Sequence, residues 1–380
     1  MFYRYSKFEL KILLLNRKQL FLGLLLILFF PIYFQLYLNT DPPTLLSQKS
    51  EESEAQSIIV NTLPLDLRDT EEGMEIFDNY TEQLSIVKMQ IYYLSNDYGR
   101  ETSEYITEGL RLNDLRLKMH EQDNPHVSSN LTIPREEIDK ENEYLTYLQD
   151  HNIQEEDNPF VTSQFMMTAM NMLSGIFLFA IILLICSDIM VYENDHQSVL
   201  RGMPVTFGTK ALSKVALYFT FITGSLILGV LLGTLRSGLK EGFGNFSYPT
   251  LIYTKDGFLA VSIMEYSLYV LLGMVIAVFM TVLLSLLLNV FVTNMYGVAL
   301  AGFGLFFLPD LLYLLGIKAK LLFPIKYIDV TGILSGDLAL QFGDSGIHYW
   351  NSVFGMLVFS IVITLVLYVY NWLAFRKRRI

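Results

Sequence analysis

The chain is poor in the residues from which catalytic and metal centres are most often built. Its 380 residues include one cysteine and five histidines. A single cysteine, Cys186, cannot form a disulfide within the chain, and no CxxC spacing for zinc or redox chemistry is present. Cys186 stands in a long apolar run, which is the ordinary setting of a small buried thiol.

Sequence motifs for nucleotide binding and hydrolysis are also absent. The chain contains no GxxxxGK[ST], HExxH or GxSxG. Its nearest approach to a phosphate-binding loop, Gly208-Thr209-Lys210, lacks the glycine spacing that lets backbone amides cradle phosphates. The sequence therefore predicts that this chain is not an enzyme and holds no cofactor of its own.

Long apolar runs are what the chain has in abundance. Hydrophobic residues make up 52% of the sequence, and about 20 of them in succession cross a bilayer core of about 30 Å. The pattern predicts an all-α integral membrane protein with six transmembrane helices. The expected crossings are residues 19–38, 164–187, 211–235, 260–288, 296–316 and 350–374.

Residues 1–18 are expected to form an amphipathic helix on the membrane surface. At 100° per residue, four basic side chains fall within an arc of about 60°, with apolar residues beside them. These basic residues are Arg4, Lys7, Lys11 and Lys18. Such a stripe is typical of an interfacial helix on an anionic leaflet.

Residues 40–163 are predicted to form a helical domain outside the membrane. They contain 27 acidic and 9 basic residues, a net charge of −18. Apolar residues recur every seven positions from Phe77 to Met119, which indicates a coiled-coil-like stripe. One long helix and a hairpin broken near Asn96–Gly99 both fit this pattern, and the hairpin is preferred because Gly99 suits a helix end.

The distribution of basic residues predicts the orientation in the membrane. Basic groups precede the first crossing and close the chain, and Lys and Arg collect on the cytoplasmic side of membrane proteins. The chain is thus expected in the plasma membrane, with both termini and the loop 192–214 in the cytoplasm. Residues 40–163 are expected outside the cell. Because the basic residues flank membrane segments, no nucleic-acid partner is expected.

Two carboxylates near crossings are candidates for a transport path. Glu265 begins the fourth crossing and Asp310 lies in the fifth. Ionisable residues within membrane segments are often functional. The ordinary alternative is a carboxylate at the interface that reaches headgroups or water.

The loop after the second crossing carries the most specific pattern. It places an acidic residue, Glu193, before a proline turn at Pro204 and a lysine, which is either Lys210 or Lys214. With the order of crossings, this resembles the ABC-2 permease family, the membrane subunits of type-2 ABC exporters. The resemblance implies a coupling helix over 192–210 that contacts an ATPase through Glu193, Gln197, Leu200, Arg201, Gly202, Pro204 and Lys210. The Gly-Thr pair with which the family usually starts this helix is absent here.

A second similarity lies before the last crossing. The segment FPIKYIDVTGILSGDL, residues 323–338, resembles the Phe-Pro-x-x-Tyr segment of permeases from Gram-positive bacteria. The resemblance implies that the extracellular segment 317–349 re-enters the membrane as a short helical turn. Pro324 and Tyr327 then join Glu265 and Asp310 as candidates for the translocation path.

The family resemblance also implies the partners and the mechanism. Two copies of a separate ABC ATPase would bind ATP and Mg²⁺, and this chain would pair with itself or with a second permease among membrane lipids. The apolar and aromatic residues of the path favour an amphipathic or hydrophobic cargo, such as a peptide, a lipid-linked molecule or an antibiotic. The alternative is a membrane sensor or immunity protein that binds an antimicrobial peptide through its extracellular helical domain.

Overall fold

The computed structural model describes residues 2–95, 102–128, 130–154, 158–191, 193 and 206–377. Most of them are helical. In the first half of the chain the helices are α1 (Phe2–Leu15), α2 (Arg17–Tyr37), α3 (Leu45–Thr62), α4 (Glu71–Ser95), α5 (Thr102–Glu121), α6 (Arg135–His151), α7 (Thr162–Leu173) and α8 (Ile176–Cys186). The second half has α9 (Phe207–Glu241), strands β1 (Pro249–Thr254) and β2 (Gly257–Ser262), then α10 (Ile263–Phe291), α11 (Met295–Leu314), α12 (Phe323–Lys326), α13 (Val330–Leu334), α14 (Asp337–Phe342) and α15 (Tyr349–Lys377).

The described chain is a multi-pass membrane protein. Five of its helices are long and apolar enough to cross a bilayer: α2, α9, α10, α11 and α15. Helices α7 and α8 pass the same test only as a pair, with a bend of 59° between them. The count is therefore five, or six if the bent pair is one span. The crossing predicted at 164–187 corresponds to two helices rather than to one.

A β-hairpin departs from the predicted all-α fold. Strands β1 and β2 pair antiparallel from Pro249↔Ser262 to Thr254↔Gly257. β-Branched and aromatic residues fill β1, and an Asp-Gly pair stands at the tight turn, which is a typical hairpin signal. The hairpin lies between the crossings expected at 211–235 and 260–288. Since β2 runs to Ser262, the helix expected from residue 260 begins at Ile263.

Helices α2 and α9 pack closely because α9 carries a stripe of small residues. Every fourth residue on this face is buried: Ser225, Gly229, Gly233 and Ser237. A Cβ atom added at Gly229 would lie 2.8 Å from the Leu26 carbonyl oxygen, and one at Gly233 would lie 2.5 Å from Phe30 Cβ. Small residues let membrane helices approach until their backbones touch, which van der Waals packing then stabilises.

The helical domain between α2 and α7 contains α3 to α6. Helix α5 packs beside α4, and Leu112 is fully buried in a cluster with Ile86 and Val87. This contact is that of a hairpin and rules out one straight helix over 70–121. The break predicted at Asn96–Gly99 lies outside the described residues. Helix α6, from Arg135 to His151, completes the domain.

Inside this domain, Lys49 and Arg116 form an ionic network with Glu52 and Glu141. Lys49 Nζ lies 2.7 Å from Glu141 Oε1, Arg116 Nη1 lies 2.8 Å from Glu141 Oε2, and both cations also pair with Glu52. Burial favours the neutral form of Lys49, but the charges of Glu141 and Glu52 outweigh it and raise the pKa of Lys49. Despite its own burial, Glu141 has a lowered pKa because of Lys49 and Arg116. Lys49 and Glu141 are thus held in their charged forms.

Replacing the buried Arg116 by methionine should destabilise the domain by about 3–5 kcal/mol, because two half-buried carboxylates would then share one cation. Hydrogen exchange of the α3, α5 and α6 amides in the full-length protein measures this loss. Arg111 provides a matched control on the same helix, since its side chain is 58% exposed and pairs with Glu82 at the surface. Arg111→Met should cost no more than about 1 kcal/mol. Equal effects of the two substitutions would contradict the network's role.

Candidate functional site

The two ends of the predicted coupling loop meet the N-terminal helix at one end of the bundle, here called the loop end. Helix α8 stops at Cys186, and Glu193 follows seven residues later. Helix α9 starts after Thr206, whose side chain caps it by accepting from the Thr209 backbone N–H. Helix α1 packs against both α2 and α9. The opposite end, next to α3–α6, is called the domain end.

Helix α1 buries a mixed face that includes a carboxylate. Tyr5, Glu9 and Leu13 follow one another at four-residue spacing, which places them on the same side, and all three are buried. The predicted basic stripe faces outward, since Arg4, Lys7 and Lys11 are exposed. The only acidic residue among the first 40 is therefore directed into the protein.

Five side chains from three segments form a compact group, here called the loop-end cluster: Tyr5, Glu9, Glu193, Lys210 and Lys214. The Tyr5 hydroxyl lies 2.5 Å from Glu9 Oε1 and 2.5 Å from Glu193 Oε1, so it bridges the two carboxylates. Lys214 Nζ donates to Glu9 Oε2 at 2.9 Å and lies 3.5 Å from Glu193 Oε1. Lys210 Nζ lies 3.4 Å from Glu193 Oε2. Two carboxylates and two lysines balance in charge.

The loop-end cluster is deeply buried for a group of four charges. The side chains of Lys214 and Glu9 are 3% and 5% exposed, and those of Lys210 and Glu193 are 14% and 11% exposed. Burial is the main cause that raises the pKa of Tyr5 well above its ordinary range, and the hydrogen bonds to Glu193 and Glu9 raise it further. Tyr5 thus keeps its proton and remains a neutral donor. Removing one partner from such a group leaves a buried charge uncompensated.

A second polar contact ties α8 to the start of α2. The Asp188 carboxylate pairs with Lys18 Nζ at 3.0 Å and accepts from Asn16 Nδ2 and Gln19 Nε2, each at 3.0 Å. Asn16 separates α1 from α2 and caps α2, so the predicted single helix over 1–18 ends at Leu15 instead. Asp188 therefore ties the segment after α8 to α2, and Glu193 ties it to α1 and α9.

The residues predicted to contact an ATPase divide into two groups. Glu193 and Lys210 lie together in the loop-end cluster, and Lys210 belongs to the first turn of α9 rather than to a separate coupling helix. The others lie outside the described residues: Gln197, Leu200, Arg201, Gly202 and Pro204. Sequence reasoning missed Tyr5 and Glu9. The signal that could have identified them was a lone acid at four-residue spacing from a tyrosine in an otherwise basic helix.

The candidates for a transport path lie in two places. Glu265 is the third residue of α10 and forms a capping box with Ser262, which is a structural role. Asp310 of α11 pairs with Lys326 of α12, so these two charges neutralise each other. Pro324 and Tyr327 pack on α15, where a Cβ added at Gly355 would lie 3.0 Å from the Tyr327 ring. Asp310, Pro324 and Tyr327 are thus neighbours, whereas Glu265 serves its own helix end.

Comparisons with known proteins give no relative to set beside this site. No family model, no curated protein and no solved structure matches the chain. Among the described residues, no three His, Cys, Asp or Glu side chains are grouped closely enough to hold a metal ion.

Proposed function

We propose that this chain is the permease subunit of an ABC exporter that uses ATP hydrolysed by a separate subunit. The observation that carries the proposal is the loop-end cluster. Its buried charges join α1, the end of the second crossing and the start of α9 around the two ends of one loop. A buried, geometrically specific ion network is well suited to passing a displacement of the loop to the helices.

The proposed route of movement continues from the cluster along α9. Lys210 and Lys214 lie in its first turns, and its stripe of small residues presses against α2 further along. Packed helices move as rigid elements because their interfaces are close-packed. An ATPase that pushes the loop would therefore displace α9 and α2 together. In this proposal two ATPases act on two permease chains, both termini lie in the cytoplasm and the helical domain lies outside the plasma membrane.

In this proposal the chain has six crossings, and its cargo is the one that the sequence favours. The bent pair α7–α8 counts as the second of six spans, and the segment 317–349 with α12–α14 is the re-entrant part of the path. The proposed cargo is an amphipathic or hydrophobic molecule, which a path with many phenylalanines and tyrosines favours.

Replacing Lys210 by glutamine tests the coupling role. We expect the tagged chain, purified from its native host, to bring with it a chain that hydrolyses ATP. Lys210→Gln should lower ATP hydrolysis in nanodiscs at least about tenfold, because Glu193 would lose one of its two cations and the loop its position. Lys240→Gln is the matched control, since Lys240 is exposed at the other end of the same helix. Absence of any ATP-hydrolysing partner, or equal rates in the two variants, would contradict the proposal.

A second candidate function is favoured by one feature of the helical domain. A cleft of about 490 Å³ lies between α3, α5 and α6, with Tyr105, Tyr144 and Glu137 among its lining residues. Aromatic and acidic groups suit a cationic peptide, as a sensor or immunity protein would require. This function predicts peptide binding without any ATPase, so the co-purification experiment separates the two candidates.

A further inference from the structure

The second crossing is broken near its centre. Helix α7 ends at Leu173 and α8 begins at Ile176, so residue 174 stands 12 positions from either end of the pair, or about 18 Å at 1.5 Å per residue. Gly175 has φ +72°, a left-handed backbone conformation that residues other than glycine rarely adopt. With the α7–α8 pair taken as one span, as proposed above, the 59° bend lies at the middle of that span.

A carboxylate from another part of the chain fills this break. Asp329 Cγ lies 3.1 Å from the position that a Cβ of Gly175 would occupy. The Thr331 backbone N–H donates to Ser174 Oγ at 3.3 Å, which fixes the two segments to each other. Val330 packs on Gly273, about 15 Å along α10 from its first residue at the same rise per residue. These contacts place Asp329 within the apolar layer rather than at its surface.

Only one oxygen of Asp329 is used inside the described part of the chain. Asp329 Oδ1 accepts from the Gly332 N–H at 3.0 Å and from the Thr331 hydroxyl at 3.3 Å, and so caps the five-residue helix α13. Among the described residues, Oδ2 has no hydrogen-bond donor and the carboxylate has no cationic partner. The capping role thus accounts for Oδ1 and leaves Oδ2 free to bind a ligand.

The nearest cation along the chain is already committed. Lys326, three residues earlier, pairs with Asp310, and its ammonium lies 4.1 Å from the centre of the Phe306 ring. A charged side chain within a membrane normally faces a partner or a water-filled cavity, because an unpaired charge there costs several kcal/mol. Asp329 is half-buried, and Asn171 on the preceding turn of α7 is exposed, so the break is open on one side.

The groups around the opening favour a positive charge. Asn171 Oδ1 accepts from the Tyr266 hydroxyl at 2.7 Å, and this exposed residue adds a second acceptor on the side of the break that is open. At the domain end, the segment 40–163 carries a net charge of −18. An ammonium or guanidinium ion would therefore meet acceptors at the break and an attractive field beyond it.

We infer that Asp329 binds the cationic group of the transported molecule, which makes the cargo a cationic amphiphile. That the bound molecule is a cargo rests on the proposed export function. That Asp329 binds a cationic group does not. The apolar part of the ligand would lie against the membrane helices, and its ammonium would pair with the open Oδ2. A carboxylate in a low-dielectric layer gives such a pair more strength than it has in water.

The test compares one probe in charged and neutral forms. Dansylcadaverine is a cationic amphiphile, and acetylation of its amine removes the charge but keeps the apolar part. Binding is followed by dansyl fluorescence with the full chain in nanodiscs of zwitterionic lipid, without ATP or an ATPase. We expect Asp329→Asn to weaken binding of the cationic probe at least tenfold and to leave the acetylated probe unchanged. Asp337→Asn is the control, because Asp337 is exposed and eight residues further along.

Unchanged affinity of Asp329→Asn for the cationic probe would overturn the inference and leave Asp329 as a helix cap only. A wild-type chain that binds both probes equally would overturn it as well. A photoreactive azide of the same amine provides a measurement on the wild-type chain, with label expected within residues 171–175 or 325–333 and label confined elsewhere counting against the site. Because no ATPase takes part in this experiment, a negative result leaves the proposed export function untouched. A positive result does not require that function either.

Discussion

Replacing Lys214 by methionine is expected to destabilise the chain by about 3–5 kcal/mol, the largest loss that a single charge in the loop-end cluster can cause. The substitution keeps the length of the side chain but leaves Glu9 and Glu193 with one lysine between them. Because Lys214 is 3% exposed, solvent cannot replace the lost cation. Thermal unfolding of the purified protein, with Lys240→Met as the exposed control on the same helix, measures the effect.

A double substitution distinguishes loss of charge pairing from loss of packing. Glu9→Gln combined with Lys214→Met removes both partners of the 2.9 Å ion pair. We expect the double variant to be more stable than the sum of the two single losses allows, because each single substitution leaves one buried charge unpaired and the double substitution leaves neither. Strictly additive losses would show that the two side chains do not act as a pair.

Replacing Gly229 by leucine should separate α9 from α2. A Cβ at this position would already lie 2.8 Å from the Leu26 carbonyl oxygen, and backbone atoms cannot turn aside as a flexible side chain can. Overpacking of this kind costs about 1–3 kcal/mol or more, and here it forces two spans apart. We expect a lower midpoint of thermal unfolding and a loss of any ATP-driven activity.

Gly224 provides the matched control for this substitution. It lies five residues earlier on the same helix, and a Cβ there meets nothing within 4 Å. Gly224→Leu adds the same side chain to the same helix and should leave the midpoint nearly unchanged. A similar shift for both variants would mean that helix propensity or lipid contact, rather than the close approach of α2, determines the effect.

The spans could be predicted from the sequence because apolar length is a local property. The run from residue 164 to 187 carries the hydropathy of one crossing, but the break within it packs against Asp329 and Thr331, which lie about 155 residues further along. Gly175 alone did not reveal the break, since glycine is common in membrane helices. The β-hairpin was missed although its Asp-Gly turn and β-branched residues are local signals, because a search for apolar length does not register them.

Only those residues of the loop-end cluster that match a family pattern were chosen from the sequence. Glu193 and Lys210 could be chosen by resemblance, and both lie in the loop-end cluster. Tyr5 and Glu9 reach that cluster from a helix about 190 residues earlier, so no local pattern joins them to Glu193. Their burial follows from tertiary packing of α1 on α9, which periodicity cannot supply. The four-residue spacing of Tyr5, Glu9 and Leu13 fixes a common face but not what that face contacts.

The most direct test of the central claim is a cross-link from the loop itself. Because Cys186 is the only cysteine, Cys186→Ser gives a background in which Leu200→Cys can carry a benzophenone maleimide. A second probe at Leu239, which is 84% exposed at the far end of α9, serves as the control. Light should join the probe at position 200, and not the one at 239, to a chain that azido-ATP also labels. If position 200 captures no ATP-binding chain, or position 239 captures it equally, the loop is not the point where an ATPase acts.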